Sequence, residues 1–301
     1  MKSNAAEDEL IRYRNVIRRN FPGFPVRAAR KLGEGRRSVA ILVDEQWVFR
    51  FPKAQDGADD LEKEIRILPK LAERITVAIP KFEFVGKQEN GMPFVGYRRL
   101  PGELLEEDAV PSLPPAERLA LAGQIASFID ELSSFPPADA KALGVPERDV
   151  RKDFAAMLER AERMLYPLLD PKLQAYITSR FESYFGNSNH FRYTPALLHA
   201  DLSPDHFLID PRERKLTGII DFGDLQIADP DYEYVYLLED CGEPFARRVM
   251  EARGQEDIEE RLNKVSFFVT AGHLATMIEG IHRGNREWFE EGIEAIREEM
   301  E

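Results

Sequence analysis

"LLHADLSPDHFLID", residues 197–210, decides how the chain is read. His199, Asp201 and His206 lie between two apolar runs, and "IIDFGD" (219–224) follows with Asp221 at its centre. "HFLI" and "LTGII", on either side of the polar "DPRERK" (210–215), have the pattern of a β-hairpin. That hairpin leaves Asp201 in the turn after a preceding strand and opens its own first strand at His206. It also carries Asp221, at the end of its second strand, back beside His206. Phosphoryl transfer needs an acceptor for the nucleophile's proton and nitrogen or oxygen ligands for a divalent cation, and these three side chains can supply both. Either motif alone is an ordinary turn; their order, spacing and shared hairpin carry the signal.

Upstream, "KLGEGRRSVAILVD" and "EQWVFRFPK" (31–53) read as strand, Gly turn, strand, tight turn, strand. An amphipathic helix over 7–20 precedes them, with Leu10, Tyr13 and Ile17 on one stripe, and Pro22, Gly23 and Pro25 end it. "ADDLEKEIRILPKLAERI" (58–75) is helical, with Leu61, Ile65, Leu68 and Leu71 as its buried stripe and acids at its start. "KFEFVGKQENGMPFVGYRRL" (81–100) is a hairpin turning at Asn90-Gly91. From Pro114 the patterns turn mostly helical, the 195–224 hairpin apart, and Asn285 is placed to cap "REWFEEGIEAIREEM". The expected division is a β-rich unit over 1–97, a connector over 98–102 and a larger helical unit over 103–301.

The 301 residues, 43% hydrophobic and 32% charged, are those of a globular protein with a sizeable core. "VSFFVTAGHLATMI" (265–278) is too short to span a bilayer and reads as a buried helix. Cys241 is the only cysteine, so no internal disulfide forms, and no signal or transit segment is visible at the start. A cytoplasmic monomer is expected. Residues 1–100 carry 20 Lys/Arg against 14 Asp/Glu, and the remainder 21 against 40. A net charge of −13 disfavours nucleic acid and anionic membranes as partners, while an acidic larger part suits a cationic ligand.

"HADLSPDH" with "IIDFGD" resembles the catalytic and metal-binding segments of the protein-kinase-like superfamily, and within it the aminoglycoside phosphotransferases, most closely those acting at the 2'' position. "GEGRRSVAILVDEQWVFRFPK", "LEKEIRIL", "FVGYRRLPGELL", "LTGIIDFGDLQIADPDYEYVYLLED" and "REWFEEGIEAIR" fall in that family's order at similar intervals. The resemblance implies an α+β, two-lobed kinase fold: a small antiparallel sheet with one helix, a larger helical lobe carrying the catalytic hairpin, and nucleotide between them. It implies Mg²⁺-dependent transfer of the γ-phosphoryl group of ATP or GTP to an aminoglycoside hydroxyl.

Carried over by position, Asp201 resembles the catalytic acid, and His206 and Asp221 the metal ligands. His206 stands where protein kinases carry Asn, as it does in the aminoglycoside family. Imidazole must be neutral to ligate, so activity is expected to fall through mildly acidic pH. The donor side departs from the pattern. The family's third-strand lysine is Arg50 here, opposite Glu64, and Lys53 competes for the role of phosphate cation. "GEGRRS", ending at Ser38, resembles the nucleotide loop, and the backbone at Arg98 and Leu100 the purine-facing connector. Asp224 and Glu239 align with acids that grip amino sugars, with Asp240 and Glu243 as adjacent candidates. Trp288 reads as core. A macrolide or small-alcohol kinase on the same fold, and a nucleotide-binding pseudokinase, are the competing readings.

Overall fold

The computed structural model describes residues 2–106 and 109–300, with side chains from residue 7 onward. The strands in chain order are β1 Ala29–Glu34, β2 Ser38–Val43, β3 Trp47–Pro52, β4 Phe82–Lys87, β5 Pro93–Arg98, β6 Glu103–Leu104, β7 Ala196–Leu198, β8 Phe207–Ile209, β9 Leu216–Ile219 and β10 Gln226–Ala228. The chain forms two compact units. The first comprises residues 1–105, 142–145 and 206–224, so it holds both the connector at 98–102 and the hairpin of His206 and Asp221.

In the first unit, five strands form an antiparallel sheet in the order β1-β2-β3-β5-β4. β1 is covered only at Ala29, and its pairing with β2 shifts register between Lys31 and Gly33. Side chains alternate across a strand, so β3 sends Phe49 and Phe51 to one face and Arg50 to the other. Helix α1 (Lys2–Asn20) packs Tyr13, Val16 and Ile17 onto the phenylalanine face, together with Val39, Ile41 and Phe94. The tight turn between β2 and β3 has no glycine. Asp44 and Glu45 both adopt positive φ (51° and 56°), and the Asp44 carboxylate accepts from the N–H of Arg27 and Ala28. The β4–β5 hairpin turns at Gly91 (φ 86°), as the Asn-Gly pair predicts.

Helix α2 spans Gln55–Leu71, starting and ending a few residues earlier than its periodicity suggests. Its buried face also differs. Ile65 is half-buried, while Lys63 and Glu64 are buried with Leu61, Ile67, Leu68 and Leu71. β8 and β9 form the hairpin read from the sequence, and β6 pairs on its outer edge.

The second unit is helical: α3 Ala109–Ser112, α4 Pro115–Ser133, α5 Pro137–Ala142, α6 Val150–Met164, α7 Pro171–Gly186, α8 Val235–Glu239, α9 Glu243–Ala252, α10 Ile258–Arg283 and α11 Arg286–Glu299, with residue 142 itself assigned to the first unit. Asp149, Asp170 and Asn285 cap α6, α7 and α11 by accepting from first-turn N–H groups. α10 contains the apolar 265–278 run and stacks Phe267 on Tyr184 of α7, ring centroids 4.0 Å apart. Trp288 is half-buried, with the Arg283 guanidinium 6.0 Å from its ring, rather than a core residue. β7 pairs with β10, a short ladder that the sequence pattern does not reveal. Among the described residues no helix is long and apolar enough to cross a membrane.

Candidate active site

In the first unit, Arg50 points from β3 toward α2 and meets Glu64 as a two-pronged pair. Nη1 donates to Oε2 at 2.8 Å and Nη2 to Oε1 at 3.1 Å. The same Nη2 lies 3.3 Å from Oδ1 of Asp221. The planar guanidinium can bridge two carboxylates at once, which a lysine ammonium cannot do in a fixed plane. The Glu64 side chain is fully buried and that of Arg50 is 13% exposed. Burial pushes the Glu64 carboxyl up to about 7 against the pull of the Arg50 charge. Burial works the other way on Arg50, but the carboxylates of Glu64 and Asp221 outweigh it and raise its pKa. Lys53, the rival cation, is turned to the surface and pairs with Glu34 at 3.0 Å. Of the two candidates, only Arg50 is brought to the Glu64–Asp221 cluster.

Asp221 sits just beyond β9 with φ 62°, a left-handed conformation that costs a non-glycine residue about 1–2 kcal/mol. That geometry turns its carboxylate back along the hairpin, so that Oδ2 lies 3.7 Å from His206 Nε2. The backbone supports the approach, with Ile220 N–H donating to the His206 carbonyl at 3.1 Å. Mg²⁺ usually takes one or two protein groups and completes its shell with phosphate oxygens and water. An adjoining imidazole and carboxylate fit that demand. Among the described residues no cluster of three or more ligating side chains is present.

Asp224 does not stand open for a cationic ligand. Its Oδ1 accepts from Arg37 Nη1 at 2.7 Å, and the same Nη1 reaches Asp60 of α2 at 2.9 Å. Arg37 belongs to the Gly turn before Ser38, where the Gly35 N–H donates to the Ser38 carbonyl at 3.0 Å. Lys63, buried, donates to the Gly223 carbonyl at 2.6 Å and so ties α2 to the Asp221 loop. At the connector, the Arg98 guanidinium lies 4.3 Å from the Trp47 ring centroid, and the Arg99 N–H is taken by the Gln46 carbonyl at 2.8 Å. Leu100 is half-buried. Arg37 and Lys63 were not singled out in the sequence, because their partners lie far along the chain.

In the second unit, β7 ends at Leu198 and Asp201 follows, half-buried. Ala200 adopts φ 65°. The Glu233 carboxylate, 2% exposed, accepts from the His199 N–H at 3.2 Å and the Ala200 N–H at 3.1 Å. Burial raises the Glu233 pKa to about 7, and those two donors oppose the rise. Sequence gave no sign of this residue, since an acid in "DPDYEY" looks like any helix-start acid.

Glu239 and Glu243 line one cavity of about 600 Å³ within this unit, with Glu259, His273, Glu298 and Glu299. Burial, reinforced by the Glu299 carboxylate, lifts Glu239 to about 7. His273 lies between them, Nδ1 3.6 Å from Glu239 and Nε2 3.4 Å from Glu299, and burial lowers its pKa. Glu243 is paired with Arg247 at 2.7 Å. Asp240 lies outside the lining of this cavity, with its N–H bonded to the Tyr236 carbonyl at 2.9 Å. Cys241 is buried, and burial raises its thiol well above the ordinary range, which suits an inert residue.

An antiparallel-sheet unit carrying the Arg50–Glu64 pair and a helical unit carrying Asp201 make up the fold of a kinase-like phosphotransferase. The chain belongs to the phosphotransferase enzyme family, whose model matches residues 28–265. It is similar to APH(2'')-IIIa solved with GDP and kanamycin, at 47% identity and a TM-score of 0.93 over 96% of this chain and 98% of that one. The GDP complex of the wild-type aminoglycoside phosphotransferase of type IIIa gives 46% identity and a TM-score of 0.93, over 96% and 97%. An uncharacterized protein of Bacillus subtilis, YcbJ, is 23% identical over 209 residues, 68% of this chain and 66% of its own length.

Proposed function

We propose that this phosphotransferase moves the γ-phosphoryl group of GTP or ATP onto a hydroxyl of an aminoglycoside, at the 2'' position, as a cytoplasmic monomer. The observation that carries the reading is the 47% identity, over nearly the whole chain, to an enzyme solved with GDP and kanamycin. The site agrees with it. Asp201 orients the acceptor hydroxyl and takes its proton. Arg50, held in plane by Glu64, sets positive charge against the donor phosphates. His206 and Asp221 would hold Mg²⁺, which when bound neutralises charge on the phosphate oxygens. The acidic cavity at Glu239 offers carboxylates to the ammonium groups of a polycation, with Asp240 beside it and Asp224 available once Arg37 lets go.

The test is nucleotide turnover with Mg²⁺, using GTP and then ATP, against kanamycin, gentamicin, a macrolide and choline, with Asp201→Ala alongside. Aminoglycoside-dependent turnover lost in the variant is expected, with the phosphate located on the product by NMR. Turnover with the macrolide or choline alone would overturn the acceptor. Nucleotide binding without turnover on any acceptor would overturn the enzyme itself.

A further inference from the structure

Arg37 is held at two points of unequal strength. Its backbone carbonyl accepts from the Lys53 N–H at 2.9 Å, and Gly57 lets the turn lie close, since a Cβ there would stand 2.7 Å from that oxygen. Its guanidinium is 34% exposed and hangs on carboxylates through a single nitrogen, Nη1, which reaches Asp60 Oδ2 at 2.9 Å and Asp224 Oδ1 at 2.7 Å. Arg50 grips Glu64 with two nitrogens, largely out of water, and that is a far stronger hold. An ion pair open to solvent on both sides is worth a factor of about 5 at most, so Arg37 leaves at little cost. Its departure does not strand Asp60, which keeps Lys63 at 3.3 Å from Oδ1. Lys63 also donates to the Gly223 carbonyl at 2.6 Å, so the backbone beside Asp224 stays fixed. Among the described residues Arg37 is the one cation on the Asp224 carboxylate, whose side chain is 42% exposed.

We propose that Arg37 makes binding of a cationic acceptor depend on the nucleotide: its guanidinium occupies Asp224 in place of an acceptor ammonium until donor phosphates draw it off. The inference rests on the reading of Asp224 as an acceptor-side acid and of the Gly turn as the nucleotide loop. The phosphates outcompete one half-exposed carboxylate because they carry several charges and offer oxygen pairs that fit the planar fork of a guanidinium. The turn stays anchored at the Lys53 N–H while the side chain swings. Asp224 is left as an open carboxylate on a fixed backbone, and the acceptor gains an ion pair that Arg37 had denied it. Coupling of this kind is reciprocal, so the acceptor tightens the nucleotide by the same factor.

The test is calorimetric titration of kanamycin into the full-length protein, with and without a saturating non-hydrolysable Mg-GTP analogue. The proteins compared are the parent, Arg37→Met, Asp224→Asn and the double variant. Without nucleotide, Arg37→Met should bind kanamycin about 5-fold tighter than the parent does. With the analogue, the two should agree within about 2-fold. In the Asp224→Asn background Arg37→Met should change nothing in either state, which separates the pair from the general loss of a positive charge. A gain that is absent without nucleotide, equal with and without it, or persistent in the Asp224→Asn background would each overturn the proposal. Kanamycin that fails to bind the parent in either state, while the analogue binds, would overturn the aminoglycoside reading and this inference with it. Kanamycin bound equally by the parent and Arg37→Met in both states would overturn the inference alone.

Discussion

Replacing Arg50 by Met separates the proposed catalytic use of a buried charge from its structural use. Removing one partner of a buried ion pair commonly costs about 3–5 kcal/mol, because the other charge is stranded. Here the stranded group has an escape. Burial already lifts Glu64 to about 7, so without Arg50 it takes up a proton. Holding neutral at pH 8 a carboxyl that titrates near 7 in the parent costs on the order of 1 kcal/mol, and at pH 6 almost nothing. The sign is fixed by linkage. With the folded pKa raised, stability is lost as pH climbs, and the loss stops near pH 7 in the parent but continues in the variant. The gap in Tm between them should be close to zero at pH 6 and about 3–6 °C at pH 8, read by thermal unfolding.

Catalysis should suffer far more. Loss of a preorganised charge facing a transferring phosphoryl group costs roughly 2.7–4 kcal/mol, a factor of about 10²–10³ in kcat/KM for the nucleotide. Lys53→Met, which removes an ammonium tied to Glu34 at the surface, should stay within about 3-fold. Steady-state kinetics on the two variants decides the matter. An Arg50→Met enzyme keeping more than a tenth of its kcat/KM, or a Tm gap equal at both pH values, would refute this account of the pair.

The connector and the acidic cavity give two further expectations. Gly102 adopts φ 103°, and an added Cβ would stand 2.4 Å from Thr217 Oγ1, the hydroxyl that bonds the Pro101 carbonyl at 2.7 Å. Gly102→Ala should cost about 3 kcal/mol, seen as a fall in Tm of about 6–12 °C, and an unchanged Tm would show that the connector tolerates another backbone path. Glu239 has a raised pKa, so its contribution to stability is complete below the ordinary carboxylate range and is lost as pH rises through about 7. Glu239→Gln should therefore show a smaller fall in Tm from pH 5 to pH 8 than the parent, together with a higher KM for kanamycin. Parallel Tm curves would remove Glu239 from the set of titrating groups.

The sheet and the His206–Asp221 hairpin were legible because their short apolar runs are bounded by turn residues, and the Asn90-Gly91 and Asn285 signals act within a few residues. What escaped the sequence was decided between distant residues. That Arg50 rather than Lys53 meets Glu64 follows from which face of β3 each side chain takes, and the pleat places Lys53 beyond the strand's end. Lys63 reads as a solvated helix lysine, and it is buried only because the Gly223 carbonyl, 160 residues away in the chain, offers it an acceptor. Asp224 has the look of a ligand acid until Arg37, 187 residues upstream, is found on it. The β7–β10 ladder is three residues long, too short for periodicity to register.

The strand that leads into the Gly turn has a second consequence. β1 is a sheet edge with one row of backbone groups unpaired, and such an edge is a template on which another copy of the chain could add. Its sequence is arranged against that. Arg30 and Lys31 point outward, paired with Glu45 and Glu34, and the register shift at Lys31–Gly33 kinks the edge. Neutralising Arg30 and Lys31 together would expose a flatter, uncharged rim, and the first symptom would be precipitation during expression while the surviving soluble molecules kept their full turnover.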